Sequence, residues 1–253
     1  MVDSTFAVVG AKGAIGSALI EQAIAQGLCN QCVRFSHRPL ALAPLAIPAV
    51  DLTLDYTAKA AIEQQWQTAY QAWLQQANTH NPMKSVTQLW IATGFLHSRQ
   101  FTPERRHEQM SSAALQFAFQ MNAVAPMLFL SQWLRHWPRR APLKIGVLSA
   151  RVGSISDNRL GGWHSYRASK AALNMLIKNM AIELKRSHPL VTLVGFQPGT
   201  TQSELSAPFT TRVPAAQLQT PDYTAACLLN VMRERTPADS GLLFDFLGQA
   251  FEP

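Results

Sequence analysis

A glycine-rich turn near the start of the chain constrains the fold more than any other feature. Residues 10–16 read Gly-Ala-Lys-Gly-Ala-Ile-Gly and follow residues 5–9, an apolar run typical of a buried strand. After the turn, Ile15, Leu19 and Ala23 recur at helical spacing. A strand, a glycine turn and a helix in this order predict a dinucleotide-binding unit, because glycine lets the backbone approach a pyrophosphate at the start of the helix.

The rest of the chain alternates predicted strands with predicted helices. The strands cover residues 5–10, 32–36, 46–50, 86–92, 143–149, 191–196 and 241–247. The helices cover residues 14–26, 58–78, 104–137, 163–187 and 220–234. Such alternation favours helices on both faces of a parallel sheet. We therefore predict an α/β fold of three layers, a Rossmann-type doubly wound parallel sheet of about seven strands, with residues 1–253 as one domain.

Composition narrows the class of protein. Hydrophobic residues make up 47% of the 253 residues and charged residues 15%, which favours a large core over disorder. We see no run of about 18 uninterrupted apolar residues and no signal-peptide pattern at the start, so we predict a cytoplasmic protein. The three cysteines fit a reducing compartment. Cys29 and Cys32 have the spacing of a redox motif, but a solitary motif of this kind is weak evidence for a function.

The net charge of +7 raises the question of a nucleic-acid partner. The basic residues are scattered, and their small groups at 105–107 and 135–144 contain no recognisable RNA-binding motif. We therefore predict no nucleic acid, no membrane and no metal, and expect a small-molecule substrate. A basic balance also suits an anionic cofactor.

Tyr166 and Lys170 form the strongest candidate for catalysis. They are four residues apart at the start of a predicted helix, which places them one turn apart on the same face. A nearby ammonium favours the phenolate, so Lys170 is expected to lower the pKa of Tyr166. A phenol adjusted in this way suits proton exchange with an alcohol or a carbonyl oxygen.

Over nearly its full length the chain resembles the short-chain dehydrogenases/reductases. The matching features, in family order, are the glycine turn, Asp51-Leu52, Ala92-Thr93-Gly94, Asn122, Ser149, Tyr166 with Lys170, and Pro198-Gly199-Thr200. Residues 149–158 and 161–174 most resemble the C-factor-like branch, which is named for a cell–cell signalling protein.

The resemblance implies hydride transfer between a nicotinamide and a carbonyl or alcohol carbon. Tyr166 would give its proton to the carbonyl oxygen during reduction, and Lys170 would also bond the nicotinamide ribose. In the family the backbone carbonyl at Asn122 holds a water that passes protons to the lysine. Pro126 supplies a physical reason, because it has no N–H to bond the carbonyl four residues before it.

The catalytic serine is where the chain departs from the family. The family pattern Ser-Ser-x-x-Gly appears here as Ser149-Ala150-Arg-Val-Gly153, so the usual second serine is Ala150. Ser149 precedes Tyr166 by a longer interval than the family's, and Ser154 is a second candidate. We predict Ser149 in the role, which requires a bulge or turn at the strand end because neighbouring strand residues face opposite sides.

The end of the second strand bears on the choice of cofactor. An acidic residue there would accept the 2′-hydroxyl of NAD, and none is present. Ser36, His37, Arg38 and Lys12 instead offer donors for a 2′-phosphate. The sequence therefore favours NADP(H), with NAD(H) as the alternative.

The family pattern assigns the remaining cofactor contacts. Asp51 and Leu52 would lie at the adenine. Asp51 could equally be an ordinary aspartate in the segment that leads to the next helix. The other predicted contacts are Gly10, Gly13, Ala14, Ile15, Gly16, Ala92, Thr93, Gly94, Pro198, Gly199, Thr200 and Thr201, with Ser203 as a further candidate for the carboxamide.

Residues 204–218 are predicted to cover the substrate pocket as a mobile lid. Their apolar content and Trp163 indicate an uncharged or partly apolar substrate. The family often assembles through its two long central helices, here 104–137 and 163–187, so we expect a homodimer or homotetramer. Two functions stay open: an NADP(H)-preferring carbonyl reductase, and a cofactor-binding regulator or signalling protein with little turnover.

Overall fold

The computed structural model describes residues 4–37, 44–58, 61–77, 82–211 and 213–253. Its strands are β1 Thr5–Val9, β2 Gln31–Ser36, β3 Ala49–Thr53, β4 Val86–Ile91, β5 Leu143–Leu148, β6 Val191–Gln197, β7 Thr200–Thr201, β8 Leu218–Gln219, β9 Leu243–Asp245 and β10 Ala250–Phe251. Its α-helices are α1 Ala14–Ala25, α2 Ile62–Ala77, α3 Ser112–Phe119, α4 Ala125–His136, α5 His164–Ser187 and α6 Pro221–Glu234.

Eight strands form the main sheet in the order β10-β9-β6-β5-β4-β1-β2-β3. All neighbours in this sheet run parallel except β9 and β10, which form an antiparallel edge. The strand order reverses between β1 and β4, and such a switch point opens a crevice at the carboxyl ends of the strands. The predicted doubly wound Rossmann-type sheet is therefore confirmed, with one strand more than expected.

Two apolar layers cover the faces of the sheet. One contains side chains of α2, α4 and α5, including the fully buried Trp66, Phe129 and Trp133. The other contains side chains of α1 and α6. Cys29 and Cys32 belong to this second layer, where their Sγ atoms lie 4.0 Å apart as buried free thiols.

Several predicted boundaries are wrong, and α2 begins at Ile62 rather than at 58. The third strand begins at Ala49 rather than at 46, because Pro48 has no N–H to donate to a neighbouring strand. The long central helix begins at Ser112 rather than at 104, since the Ser111 hydroxyl caps it by accepting the Ala114 N–H at 3.2 Å. The last predicted strand, 241–247, is shorter (243–245) and turns back into β10.

Helix 112–136 continues from α3 to α4 through a π-helical turn at Gln120–Val124. By length and composition alone it is long and apolar enough to cross a membrane. Phe129, Leu130 and Trp133 are nevertheless fully buried in the protein, as expected for a core helix that covers a sheet.

Candidate active site

The glycine turn joins β1 to α1 at the carboxyl edge of the sheet. Gly10 has a φ of +86°, and its N–H donates to the Phe35 carbonyl at 2.9 Å, which ties the turn to β2. A Cβ on Gly16 would lie 2.2 Å from the Gly10 carbonyl oxygen, so only glycine allows this close approach of helix and strand. The N-cap Gly13 offers no side chain to the first N–H groups of α1, which leaves them for an anion.

Three of the four predicted 2′-phosphate donors lie beside this turn. The Ala11 N–H also donates to the Phe35 carbonyl, so exposed Lys12 in the turn lies near the end of β2. Ser36 ends β2 as a buried residue, and exposed His37 follows it. Arg38 lies outside the described residues.

The structure gives Asp51 a partner that the sequence did not suggest. Asp51 on β3 lies directly opposite Arg34 on β2, whose Nε and Nη2 donate to the two carboxylate oxygens at 2.6 and 2.8 Å. Bidentate pairs of this kind are the strong ones. The Asp51 side chain stays 43% exposed, so its contact with adenine remains a prediction. Leu52 is buried in the core.

The end of β4 is joined to the central helix by one amide side chain. Asn122 accepts the Phe95 N–H through Oδ1 at 2.7 Å and donates through Nδ2 to the Phe95 carbonyl at 2.8 Å. Its Nδ2 also donates to the Ser169 hydroxyl at 3.0 Å. Asn122 thereby holds Phe95, the residue after Gly94, against Ser169 of α5.

The helix around Asn122 is widened. The Ala125 N–H bonds back to the Gln120 carbonyl, five residues earlier. Pro126 follows with no N–H to give, so it bonds neither the carbonyl four residues back, at Asn122, nor the one five residues back, at Met121. π-Turns of this kind are frequent at functional sites.

Tyr166 and Lys170 lie one turn apart in α5, as predicted. The Lys170 ammonium is buried, donates to the Leu148 carbonyl at 2.9 Å, and lies 3.9 Å from the position of a Cβ on Gly94. Burial lowers the pKa of Lys170 to about 8 and raises the pKa of Tyr166 to about 12. The predicted lowering of the Tyr166 pKa is therefore wrong for this arrangement, because loss of hydration disfavours the phenolate.

The predicted catalytic serine is otherwise engaged. The buried Ser149 hydroxyl donates to Asn174 Oδ1 at 2.5 Å, which directs its proton toward α5. Ser154 accepts the Asp157 N–H at 3.2 Å and lines a surface cleft beside Phe251, not the small cavity that Tyr166 lines. The catalytic role of Ser149 stays a prediction, and it requires the hydroxyl to give up its bond to Asn174 when a substrate binds.

The end of β6 turns sharply toward the site. Gly199, after Pro198, has a φ of +75°, and a Cβ there would lie 2.7 Å from the Gln219 side chain. The Thr201 hydroxyl is buried, with Pro198 O and Thr224 Oγ1 as partners, whereas Thr200 is exposed. Of the two threonines, Thr200 is the one open to a ligand.

Sequence reasoning missed Glu104. Its carboxylate is buried and accepts both the backbone N–H and the hydroxyl of Ser165, in the first turn of α5. A carboxylate at a helix start is stabilised by the free N–H groups there. Glu104 thus fixes the turn that carries Tyr166, and it lies too far away in sequence for any spacing rule to pair it with Ser165.

The segment 204–218 reaches the site from the side of β6. Leu205 Cδ1 lies 4.0 Å from the position of a Cβ on Gly94. Phe209 packs against Trp163, which in turn contacts the ring of Tyr166. These contacts bring the segment next to Trp163 and to the loop after β4, and its role as a lid over the substrate stays a prediction.

Comparison with known families identifies this arrangement. Residues 4–213 match the short chain dehydrogenase family. The chain belongs to that family. The resemblance stated from its motifs is confirmed, and the family's members are oxidoreductases.

Two curated relatives agree with this assignment. C-signal from Myxococcus xanthus is 33% identical over 130 residues, which cover 51% of this chain and 73% of C-signal. The 1-hydroxy-2-glutathionyl-2-methyl-3-butene dehydrogenase of a Rhodococcus species is 37% identical over 99 residues, 39% of this chain and only 41% of that enzyme. The first of these supports the resemblance to the C-factor-like branch.

A solved structure shares the whole fold. The NADPH-bound carbonyl reductase from chicken fatty liver superposes with a TM-score of 0.80, covering 100% of both chains at 18% identity. At this identity the likeness concerns the fold.

Proposed function

We propose that the protein is an NADP(H)-preferring oxidoreductase that reduces a carbonyl to an alcohol, with Tyr166 as the proton donor. The observation that carries the proposal is the convergence at the end of β4. The Lys170 ammonium, one helical turn from Tyr166, lies beside Gly94. Asn122 holds Phe95, the residue that follows Gly94. A buried lysine one helical turn from a tyrosine that lines a cavity is a candidate for a functional site.

The residues present fit a dinucleotide, because Gly10 and Gly16 allow a tight turn in which a Cβ would clash with the backbone, and the start of α1 is free of side-chain caps. A bound nicotinamide would supply the hydride. The glycine turn would hold the pyrophosphate, and Asp51 and Leu52 the adenine. The 2′-phosphate would bind Lys12, Ser36, His37 and Arg38, and the nicotinamide half would bind Ala92, Thr93, Gly94, Pro198, Gly199, Thr200 and Thr201.

The proton chemistry depends on Tyr166 and Lys170. With a pKa of about 12, the phenol holds its proton at neutral pH and has it ready for the substrate oxygen. The Lys170 ammonium then stabilises the phenolate that forms. Asn122 holds α5 and the β4 end in register, so that the two groups keep their places.

The substrate oxygen would have fewer donors than is usual in the family. Ala150 occupies the family's serine position, and Ser149 donates to Asn174. Loss of one such donor typically costs about 10²–10³ in rate. We therefore propose slow turnover with unreactive ketones and faster turnover with activated carbonyls.

The test has two steps. NADPH and NADH are titrated by fluorescence, and a panel of aldehydes, ketones and diketones is then screened for NADPH oxidation by the wild type and by Tyr166→Phe. Tighter NADPH binding and turnover that Tyr166→Phe abolishes would support the proposal. Equal affinity for the two nucleotides would refute the 2′-phosphate argument, and turnover unaffected by Tyr166→Phe would refute the mechanism.

A second candidate is a cofactor-binding regulator with little turnover. The engaged Ser149 and the Ala150 substitution favour it, and C-signal supports it by its name. The same experiment separates the two functions, since a regulator would bind NADPH without Tyr166-dependent turnover of any carbonyl in the panel.

A further inference from the structure

The backbone at Trp163 is unusual. Gly161, Gly162 and Trp163 have φ angles of 62°, 64° and 49°, and Trp163 is the one non-glycine residue with a positive φ among those described. A bulky side chain rarely adopts this conformation, and where it does the surroundings must hold it. Such backbone outliers cluster at ligand sites, so the Trp163 side chain is a candidate for a functional role.

The surroundings that hold this turn are visible. The Trp163 N–H donates to the Glu104 carbonyl at 2.5 Å, and the Glu104 carboxylate holds Ser165 two residues later. On the other side, Arg167 Nε donates to the Gly162 carbonyl at 3.1 Å. None of these hydrogen bonds involves the Trp163 side chain. These bonds hold the turn without using the indole, and a residue that tolerates positive φ would form the turn with less strain.

The indole faces the chemistry instead. Its ring lies edge-on to the Tyr166 ring at 6.2 Å between centroids, and 5.1 Å from the Phe209 ring. Phe209 also contacts the His97 ring at 5.4 Å, and His97 Nε2 lies 3.2 Å from the Glu204 carbonyl. Trp163 is only partly buried, so part of its surface is available to a substrate held at the phenol.

We infer that Trp163 is a specificity-determining residue that forms, with Phe209, an aromatic wall for the group attached to the reacting carbonyl. The inference rests on the proposed function. Flat aromatic groups pack against such rings edge-on or offset, and short alkyl groups leave much of that contact unmade. The wall therefore selects aryl carbonyls over small alkyl carbonyls.

The test compares Trp163→Asn with Trp163→Phe, using an aryl methyl ketone and a small dialkyl ketone as substrates. Asparagine tolerates positive φ, so Trp163→Asn is expected to unfold at nearly the wild-type temperature and to bind NADPH normally. Its kcat/KM for the aryl ketone falls about tenfold or more relative to the dialkyl ketone. Trp163→Phe recovers much of that preference, and Phe209→Leu loses part of it.

Other outcomes are equally informative. Equal losses for both ketones in Trp163→Asn, with a lower unfolding temperature, would make Trp163 a structural residue and overturn the inference while leaving the proposed function intact. Wild-type protein that binds NADPH but reduces neither ketone nor any other carbonyl would overturn both.

Discussion

At the scale of single residues, Tyr166 and Lys170 are in the predicted places with unpredicted properties. Their spacing alone suggests an ammonium that lowers the phenol pKa. In the fold, Lys170 donates to the Leu148 carbonyl, and burial lowers its pKa to about 8 while raising that of Tyr166 to about 12. Lysine is cationic below its pKa, so the charge at this site is retained in neutral solution and lost in mildly alkaline solution.

This arrangement predicts the pH dependence of reduction. Tyr166 keeps its proton across the working range, whereas Lys170 loses its charge as the pH rises through about 8. We expect kcat/KM for carbonyl reduction to be level below that pH and to fall above it, because the phenolate then forms without a neighbouring cation. A profile recorded from pH 6 to 10 checks this. Activity that rises through pH 8 would contradict the role of Lys170, and Lys170→Arg should shift the alkaline fall upward.

Ala150 gives a gain-of-function prediction. A serine there would restore the donor that Ser149 cannot provide while it bonds Asn174. We expect Ala150→Ser to raise kcat by up to about 10²-fold. Ala150→Cys is the matched control, since it has similar size and a much weaker donor. A well-folded Ala150→Ser variant with unchanged kcat would show that the site does not lack this donor.

At the scale of elements, α5 is positioned by a residue remote in sequence. Glu104 belongs to the stretch before α3, which the sequence placed inside one long helix. In the structure that helix begins only after the Ser111 cap, which leaves Glu104 outside it and able to fix the first turn of α5.

Removal of this contact has a predictable cost. Glu104→Ala leaves the Ser165 N–H and hydroxyl buried without their acceptor, which is expected to lower the free energy of unfolding by about 1–3 kcal/mol. Glu104→Gln keeps one acceptor oxygen and should lose less. Urea unfolding measures both. Glu108→Ala, at a side chain 64% exposed, is the control and should stay within about 0.5 kcal/mol of wild type. A Glu104→Ala variant as stable as the control would contradict the positioning role.

How much the sequence predicts follows from how local each feature is. The strand before Gly10, the helix after it and the Tyr166–Lys170 spacing are local patterns, and the structure contains all of them. The bonds from Ser149 to Asn174, Arg34 to Asp51 and Glu104 to Ser165 join distant segments. Periodicity carries no information about such contacts, so the bond from Ser149 to Asn174 was not foreseen and Glu104 was overlooked.

At the scale of the whole molecule, the parts of the site come from opposite halves of one sheet. The glycine turn follows β1, the lysine contacts the end of β5, and Pro198-Gly199-Thr200 follows β6. A dinucleotide that lies across these strand ends would hold the two halves together, so its binding energy adds to the stability of the entire fold.

This coupling predicts selective stabilisation by the cofactor. A ligand at 100 times its Kd raises the free energy of unfolding by about 2.7 kcal/mol. We expect NADPH to raise the unfolding temperature more than NADH at equal concentration, because Lys12 and His37 are exposed where a 2′-phosphate would bind. Thermal unfolding with each nucleotide measures the difference. Equal shifts would argue against a phosphate site.

Transfer of deuterium from labelled NADPH is the most direct measurement of the central claim. NADPH carrying deuterium at both C4 positions of the nicotinamide is incubated with the protein and a carbonyl substrate, and the alcohol is analysed by mass spectrometry. We predict that wild-type protein forms alcohol with one deuterium on the carbinol carbon, and that Tyr166→Phe forms almost no labelled alcohol in the same time, although it still binds NADPH. Alcohol without deuterium, or equal labelling by both proteins, would contradict hydride transfer assisted by Tyr166.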